Sequence, residues 1–269
     1  MTNEVIVYRG VFDKAREYLL SFDSIDENML DKHLNAWKGC KINTVQDLLW
    51  GMLDSVSNRR NMPKTIGPVD KMRPVLEDFI PSKIVEKYDD SWEKLFKTIE
   101  KEYKPLGKMV IDNPRSYWVI FCKSVISASR FLSRFSNLDE FNKFVSQFYL
   151  NEYTRVALPL LLAKEVFGLG FTLACDFLKE NGYPKFVKPD VHIKAIFNGI
   201  GISKSNLDYD VFKDVIRFSE NINELPYCVD KLFWLVGSGR FYLDKVEIIT
   251  NRDEFIEMIT REFGAELRF

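Results

Sequence analysis

Apolar residues recur at intervals of three and four along almost the whole chain, as in Leu48, Leu49, Met52 and Leu53 or Phe212, Val215, Ile216 and Phe218. That is the period of helices with one buried face. The pattern predicts helices near 13–22, 26–38, 44–60, 68–79, 91–103, 116–135, 138–150, 154–167, 171–181, 190–198, 208–220, 226–236 and 251–263. Several ends are legible in side-chain chemistry. Asn43 or Thr44 can cap the third helix, Asn137 can cap the one that begins at Leu138, and Asn181-Gly182 is a good left-handed stop. Strand signals are confined to Glu4–Tyr8 and Arg240–Thr250. The expectation is an all-α protein with at most a minor β element.

No internal repeat, low-complexity stretch or long Gly/Ser linker interrupts this pattern. The segment Tyr103–Arg115, with Pro105, Gly107 and Pro114, is the best hinge candidate. Two helical lobes around a cleft fit that reading. One lobe comprises 1–110 completed by 205–269, and the other, 111–204, carries the motif described below.

With 269 residues, 46% of them apolar, the chain can bury one large core or two smaller ones. A formal charge of -1 argues neither for nor against a polyanionic partner, since binding depends on where charges sit. Locally, Lys179, Lys185, Lys188, Lys194 and Lys204 face only Glu180 and Asp190 in the interval 179–204, a modest basic patch. Cys40, Cys122, Cys175 and Cys228 are too scattered for zinc or iron–sulfur spacing and read as reduced, mostly buried thiols. No signal segment opens the chain, and no apolar run approaches the roughly 20 residues of a membrane span. These features predict a soluble, intracellular protein with no metal.

Candidate chemistry is concentrated in two neighbouring segments. The first, Val166-Phe-Gly-Leu-Gly-Phe-Thr-Leu-Ala174, reads as a helix end, a Gly168-Leu169-Gly170 turn and a new helix. The N–H groups and dipole at that helix start suit a phosphate. Glycine at 168 and 170 permits positive φ and close backbone approach, while Leu169 can plug back into the fold. A tight turn between packed helices explains the same residues. In the second segment, Lys188-Pro-Asp-Val-His-Ile-Lys194, Asp190 opens an apolar helix. It is either an N-cap, at about 1 kcal/mol, or a carboxylate with chemical work to do.

Taken together, the segments resemble the HhH-GPD superfamily of base-excision DNA glycosylases, the endonuclease III-like enzymes. That family carries a helix-hairpin-helix of the form Leu-Pro-Gly-Val-Gly-x-Lys-Thr-Ala, followed by an aspartate in a Val-Asp-Thr-His-Val type of sequence. The interval from Thr172, which stands where the family has lysine, to Asp190 is 18 residues, the family's usual separation. The close match covers about a tenth of the chain. The resemblance implies double-stranded DNA as the partner of a cofactor-free monomer, cytoplasmic or nucleoid-associated, with Gly168, Leu169, Gly170, Thr172 and Lys188 at the phosphate backbone. It also implies Asp190 as the catalytic carboxylate, which stabilises oxocarbenium character at C1′ and orients water, acting on a nucleotide extruded from the stack.

Three departures sharpen that expectation. Family members that also cut the strand use the hairpin lysine as an amine nucleophile; Thr172 stands there, which points to a monofunctional hydrolase. Lys164, Lys188 and Lys194 are the nearby amines that could stand in for it. Phe167 replaces the proline before the first hairpin glycine, and after Asp190 only Cys228 remains, so the iron–sulfur cluster of some members cannot be built.

Other residues carry weaker signals. Asn58, Arg59, Arg60 and Asn61 end an apolar helix in a polar burst that can reach a duplex or simply be a solvated helix end. Trp50, Trp118 and Trp234 are candidates to stack on an extruded base, although aromatics at helical spacing are usually core. His192 reads as local packing at the helix start, and His33 as structural. Gly237-Ser-Gly239 either caps a helix or presents Arg240 to phosphate. Two further functional readings stand beside glycosylase: a non-catalytic helix-hairpin-helix DNA-binding protein in a repair or defence assembly, and a helical protein unrelated to DNA.

Overall fold

A computed structural model of the chain describes residues 3–59, 62–105 and 109–267. Helix α1 spans Asn3–Leu20 and α2 Glu27–Leu34, the latter capped by Asp26 and followed by a 3-10 turn at Ala36–Gly39. Next come α3 (Val45–Ser57), α4 (Met62–Ile66), α5 (Pro81–Tyr88), α6 (Trp92–Thr98), α7 (Tyr117–Leu132), α8 (Leu138–Ser146) and α9 (Glu152–Glu165). The chain ends with α10 (Phe171–Glu180), α11 (Val191–Gly199), α12 (Asp208–Asn221), α13 (Pro226–Ser238), a ladder of β1 (Arg240–Phe241) and β2 (Val246–Glu247), and α14 (Arg252–Phe263). The fold is all-α with a minor β element.

The predicted ends hold where they rest on a named side chain. Thr44 caps α3 in a reciprocal capping box with Asp47, Asn137 accepts from the Glu140 N–H, and Gly182 takes the left-handed conformation. Two expectations fail. Glu4–Tyr8, expected as a strand, is helical. Val7, Tyr8, Val11, Phe12, Ala15 and Leu19 form one buried face of α1, and that burial overrides the strand preference of the Val-Ile-Val run. The helix expected at 68–79 is instead two 3-10 turns, Val69–Met72 and Glu77–Phe79, because Glu77, Asp78 and Phe79 all have positive φ. Helix α5, not anticipated, begins immediately afterwards with Pro81 at its first position.

The chain forms two units, 1–40 with 178–269 and 41–177. The boundaries therefore differ from the expected 1–110 with 205–269 against 111–204. The expected hinge at 103–115 lies inside the second unit; its residues 106–108 are outside the described ones. In the first unit α13 is central and packs on α1, α2, α11, α12 and α14. Phe197, Phe218, Phe233 and Phe255 meet there in edge-on contacts. In the second unit α7 is central, buried almost all round, and packs on α3, α4, α5, α6 and α9. Each fully buried Phe or Leu in these cores contributes about 1.5–3 kcal/mol.

Candidate functional site

In the second unit, α9 ends at Glu165 and α10 begins at Phe171, so the predicted hairpin is formed. Gly168 has φ +79°, and a Cβ there would stand 2.7 Å from Ser124 Oγ and 3.3 Å from Ile120 Cγ2, both on α7. Glycine is required on both counts. Gly170 differs: its φ is not positive, contrary to expectation, and nothing lies within 4 Å of where its Cβ would be. Leu169 is fully buried and anchors the turn, so it supports the hairpin from below and presents nothing outward. The Phe167 N–H donates to Ser127 Oγ at 2.9 Å, tying the turn to α7 a second time. The ladder of α10 starts with the Ala174 N–H donating to the Gly170 carbonyl. The N–H groups of Gly168 and Gly170 have no acceptor among the described residues. Thr172 is half-buried in the first turn of α10.

Of the other predicted residues in this unit, Trp118 is buried against Tyr103 and Phe121 and belongs to the core, so it is not available to stack on a base. Trp50 is partly exposed, but its Nε1–H is buried with no acceptor among the described residues. Asn58 and Arg59 are exposed, with their N–H groups closing the last turn of α3. Val56, two residues before Asn58, reaches within 3.8 Å of the Gly168 Cβ position. Arg60 and Asn61 lie outside the described residues.

In the first unit, Asp190 is the N-cap of α11. Its Oδ1 accepts from the N–H groups of His192 (2.9 Å) and Ile193 (3.1 Å), while Oδ2 has no hydrogen bond among the described residues. The segment leading to it is pinned by α13. The Tyr227 N–H donates to the Pro184 carbonyl at 2.9 Å, and the Asp230 carboxylate accepts the Lys188 N–H. Phe186, Val187 and Pro189 are buried between these two pins. Lys188 is therefore held by its backbone, and its half-buried side chain sits two residues before Asp190. His192 leans on Gly237 of α13, whose missing Cβ would lie 2.7 Å from the His192 Cβ; only glycine lets the helices meet so closely. Trp234, one turn back along α13 and partly exposed, meets His192 edge-on at 6.5 Å and Tyr242 at 6.0 Å.

Linked to the segment before Asp190 through the Lys188 N–H is a charged cluster that the hydrophobic pattern does not announce. Asp230 is 1% exposed, Lys179 and Lys231 3% each. Lys179 Nζ donates to Asp230 Oδ1 at 2.7 Å and lies 3.3 Å from Glu180. Lys231 lies 3.4 Å from the same Glu180 and 3.0 Å from the Tyr242 hydroxyl, over the rings of Tyr227, Trp234 and Tyr242. Burial pushes the Glu180 carboxyl up, but the two ammonium groups outweigh it and hold the group below its usual value. Burial pushes the Asp230 carboxyl up against the pull of Lys179. The signal for this cluster is present in the sequence: Asp230-Lys231 is an adjacent charged pair inside an otherwise apolar helix. Two charges in that setting are buried only when paired.

Gly239 ends α13 in the left-handed conformation, with the Ile248 carbonyl only 2.1 Å from where a Cβ would stand. The cap expected of Gly237-Ser-Gly239 is thus formed by Gly239. Arg240 pairs with Glu247 across the two strands at 3.1 Å. His33 is fully buried, with Nε2 3.1 Å from Asp244, in keeping with a structural role. The cysteines form no disulfide; Cys122 and Cys175 are buried and Cys40 and Cys228 partly so. No described helix is long and apolar enough to cross a membrane. Each unit also has an open depression, of about 380 Å³ in the first and about 400 Å³ in the second, and neither is lined by Asp190, Trp234 or the hairpin.

Comparison with protein families, with characterised proteins and with solved structures finds no match to this chain.

Proposed function

We propose that the protein is a monofunctional DNA glycosylase, which hydrolyses the N-glycosidic bond of a damaged, mismatched or modified base in double-stranded DNA. The observation that carries this reading is the state of Asp190. One carboxylate oxygen is fixed by two backbone N–H groups at the start of α11 while the other makes no hydrogen bond among the described residues. A carboxylate so oriented suits a cationic transition state: it costs no reorganisation and faces charge where charge develops. The resemblance of the Gly168–Ile193 stretch to the endonuclease III-like hairpin and aspartate supplies the substrate class.

In this mechanism the Gly168 and Gly170 N–H groups and the dipole of α10 hold a DNA phosphate. The target nucleotide leaves the stack, and Trp234, partly exposed in the first unit, is an aromatic on which the base can stack. As the bond from C1′ to the base nitrogen breaks, the base leaves with the bonding pair and takes up a proton. Asp190 stabilises the positive charge left on the sugar and orients a water, whose oxygen bonds to C1′ and whose proton is released. With Thr172 at the hairpin position, Lys179 and Lys231 buried in ion pairs and Lys194 paired to Asp208 at 2.6 Å, no amine is offered for Schiff-base chemistry by those residues.

The N-cap bonds of Asp190 favour a second reading, a non-catalytic DNA-binding protein, because they give the carboxylate a structural reason to exist. The test is a screen of duplexes carrying oxidised, alkylated, deaminated and mismatched bases, read after alkali cleavage of the abasic product. Release of one class of base supports the glycosylase. Binding of duplex DNA without release from any member supports the binding protein, and salt-insensitive binding refutes phosphate contact by the hairpin.

A further inference from the structure

Between Gly182 and Asp190 the chain has no helix or strand to fix it, yet Asp190 must be held closely if it is to face a developing charge. Tyr227 pins the start of this segment at Pro184, and what fixes the end next to Asp190 is Asp230. Its side chain bridges Lys179 Nζ of α10, on Oδ1, and the Lys188 backbone N–H, on Oδ2. The Lys188 carbonyl in turn accepts from the Asp190 N–H at 2.8 Å, so the clamped residue and the acting one are joined by a single tight turn. An ion pair this buried is poor value as a stabiliser, because desolvation offsets most of its attraction. Hydrophobic residues of similar volume often serve such a site equally well, so the pair calls for another reason.

We infer that Asp230 is a positioning residue for Asp190: its carboxylate, anchored by Lys179, holds the Lys188 N–H and so sets the backbone from which the Asp190 carboxylate is presented. The inference rests on the reading of Asp190 as the acting carboxylate. It makes a distinction that a purely structural ion pair does not. What matters is an acceptor for the Lys188 N–H, not the charge.

In Asp230→Asn the one remaining oxygen goes to the Lys179 ammonium, and the amide NH₂ is left facing the Lys188 N–H. The clamp breaks although the shape is kept. In the double variant Lys179→Met with Asp230→Asn, the oxygen is released to accept the Lys188 N–H and the clamp is restored without an ion pair. Lys179→Met with Asp230→Leu is matched in size and equally uncharged but has no acceptor.

The experiment compares these three full-length variants with wild type. It measures single-turnover base release from the duplex that wild type processes fastest, affinity for a duplex with a tetrahydrofuran abasic analogue, and amide hydrogen exchange at Lys188. A misplacement of about 1 Å can cost on the order of 100-fold in rate. Release is therefore expected to fall about 30- to 100-fold in Asp230→Asn and in the Met/Leu double variant, and to return to within about fivefold of wild type in the Met/Asn double variant. Affinity should stay within about threefold throughout. Exchange at Lys188 should accelerate wherever release falls.

Equal losses in the two double variants would overturn the inference, since the effect would then belong to the ion pair. Accelerated exchange with unchanged release would overturn it as well. If Asp230→Asn does not fold, the two double variants decide the matter alone. If wild type releases no base from any duplex, it is the reading of Asp190 that fails, and the positioning role fails with it; exchange at Lys188 still reports separately whether the clamp exists.

Discussion

Replacing Asp190 separates its two duties, because asparagine and alanine remove different things. The carboxylate Oδ1 accepts from His192 and Ile193 at 2.9 and 3.1 Å, and the amide oxygen of Asp190→Asn can do the same. What asparagine loses is the charge at the helix start, about 0.3–1 kcal/mol at most. Asp190→Ala loses the cap as well, about 0.5–2 kcal/mol in total. At this chain length 1 kcal/mol corresponds to about 2–4 °C in Tm. Asp190→Asn should therefore melt within about 4 °C of wild type, and Asp190→Ala below it, by as much as about 8 °C. Base release behaves differently. Both variants lack the negative charge beside C1′, and both should lose at least about 100-fold in single-turnover release, with duplex affinity nearly unchanged. Differential scanning fluorimetry and alkali-revealed cleavage of a labelled duplex read the two quantities separately. Release at the wild-type rate by Asp190→Asn would refute the catalytic assignment. Equal destabilisation by the two substitutions would refute the account of the cap.

The two hairpin glycines should behave differently from each other. Gly168→Ala meets both a positive φ and Ser124, and should destabilise by about 1–3 kcal/mol, whereas Gly170→Ala has room and should leave Tm unchanged while weakening duplex binding and flattening its salt dependence; unaltered binding would remove the phosphate from Gly170. Borohydride trapping on a processed duplex should give no covalent adduct, and a strong adduct would show that a lysine, with Lys164 and Lys188 the first to substitute, performs lyase chemistry. His33 supplies a pH signature: burial holds its imidazole below the ordinary 6.5, against the pull of Asp244, so the unfolded chain binds the proton more readily. Its contribution is complete above about pH 6.5, is lost as pH falls from there towards the folded value, and then levels off. Urea titrations between pH 7.5 and 5 should show a steeper loss for wild type than for His33→Gln, and parallel curves would refute this.

The sequence by itself determined everything that depends on neighbours along the chain. The helical period identified most of the helices, and the side chains of Thr44, Asn137 and Asp190 marked ends that the structure realises, because a cap is a bond between residues two or three apart, as did Gly182 through its positive φ. It also marked Gly168-Leu169-Gly170 and Asp190, since a turn and a helix start are local. Where local preference and burial disagree, the sequence misled: the β-branched run at the start of α1 is helical because its apolar face is covered, and 68–79 breaks at three successive positive-φ residues. Tertiary structure alone decided which glycine of the hairpin is obligatory, because that depends on Ser124 and Ile120, some 44 residues or more away in sequence. It decided that Trp118 is core while Trp234 is partly exposed. It also decided that Asp230, 40 residues beyond Asp190, reaches back to the Lys188 N–H. A buried charge must find its partner wherever the fold places one, and that partner need not be near in sequence.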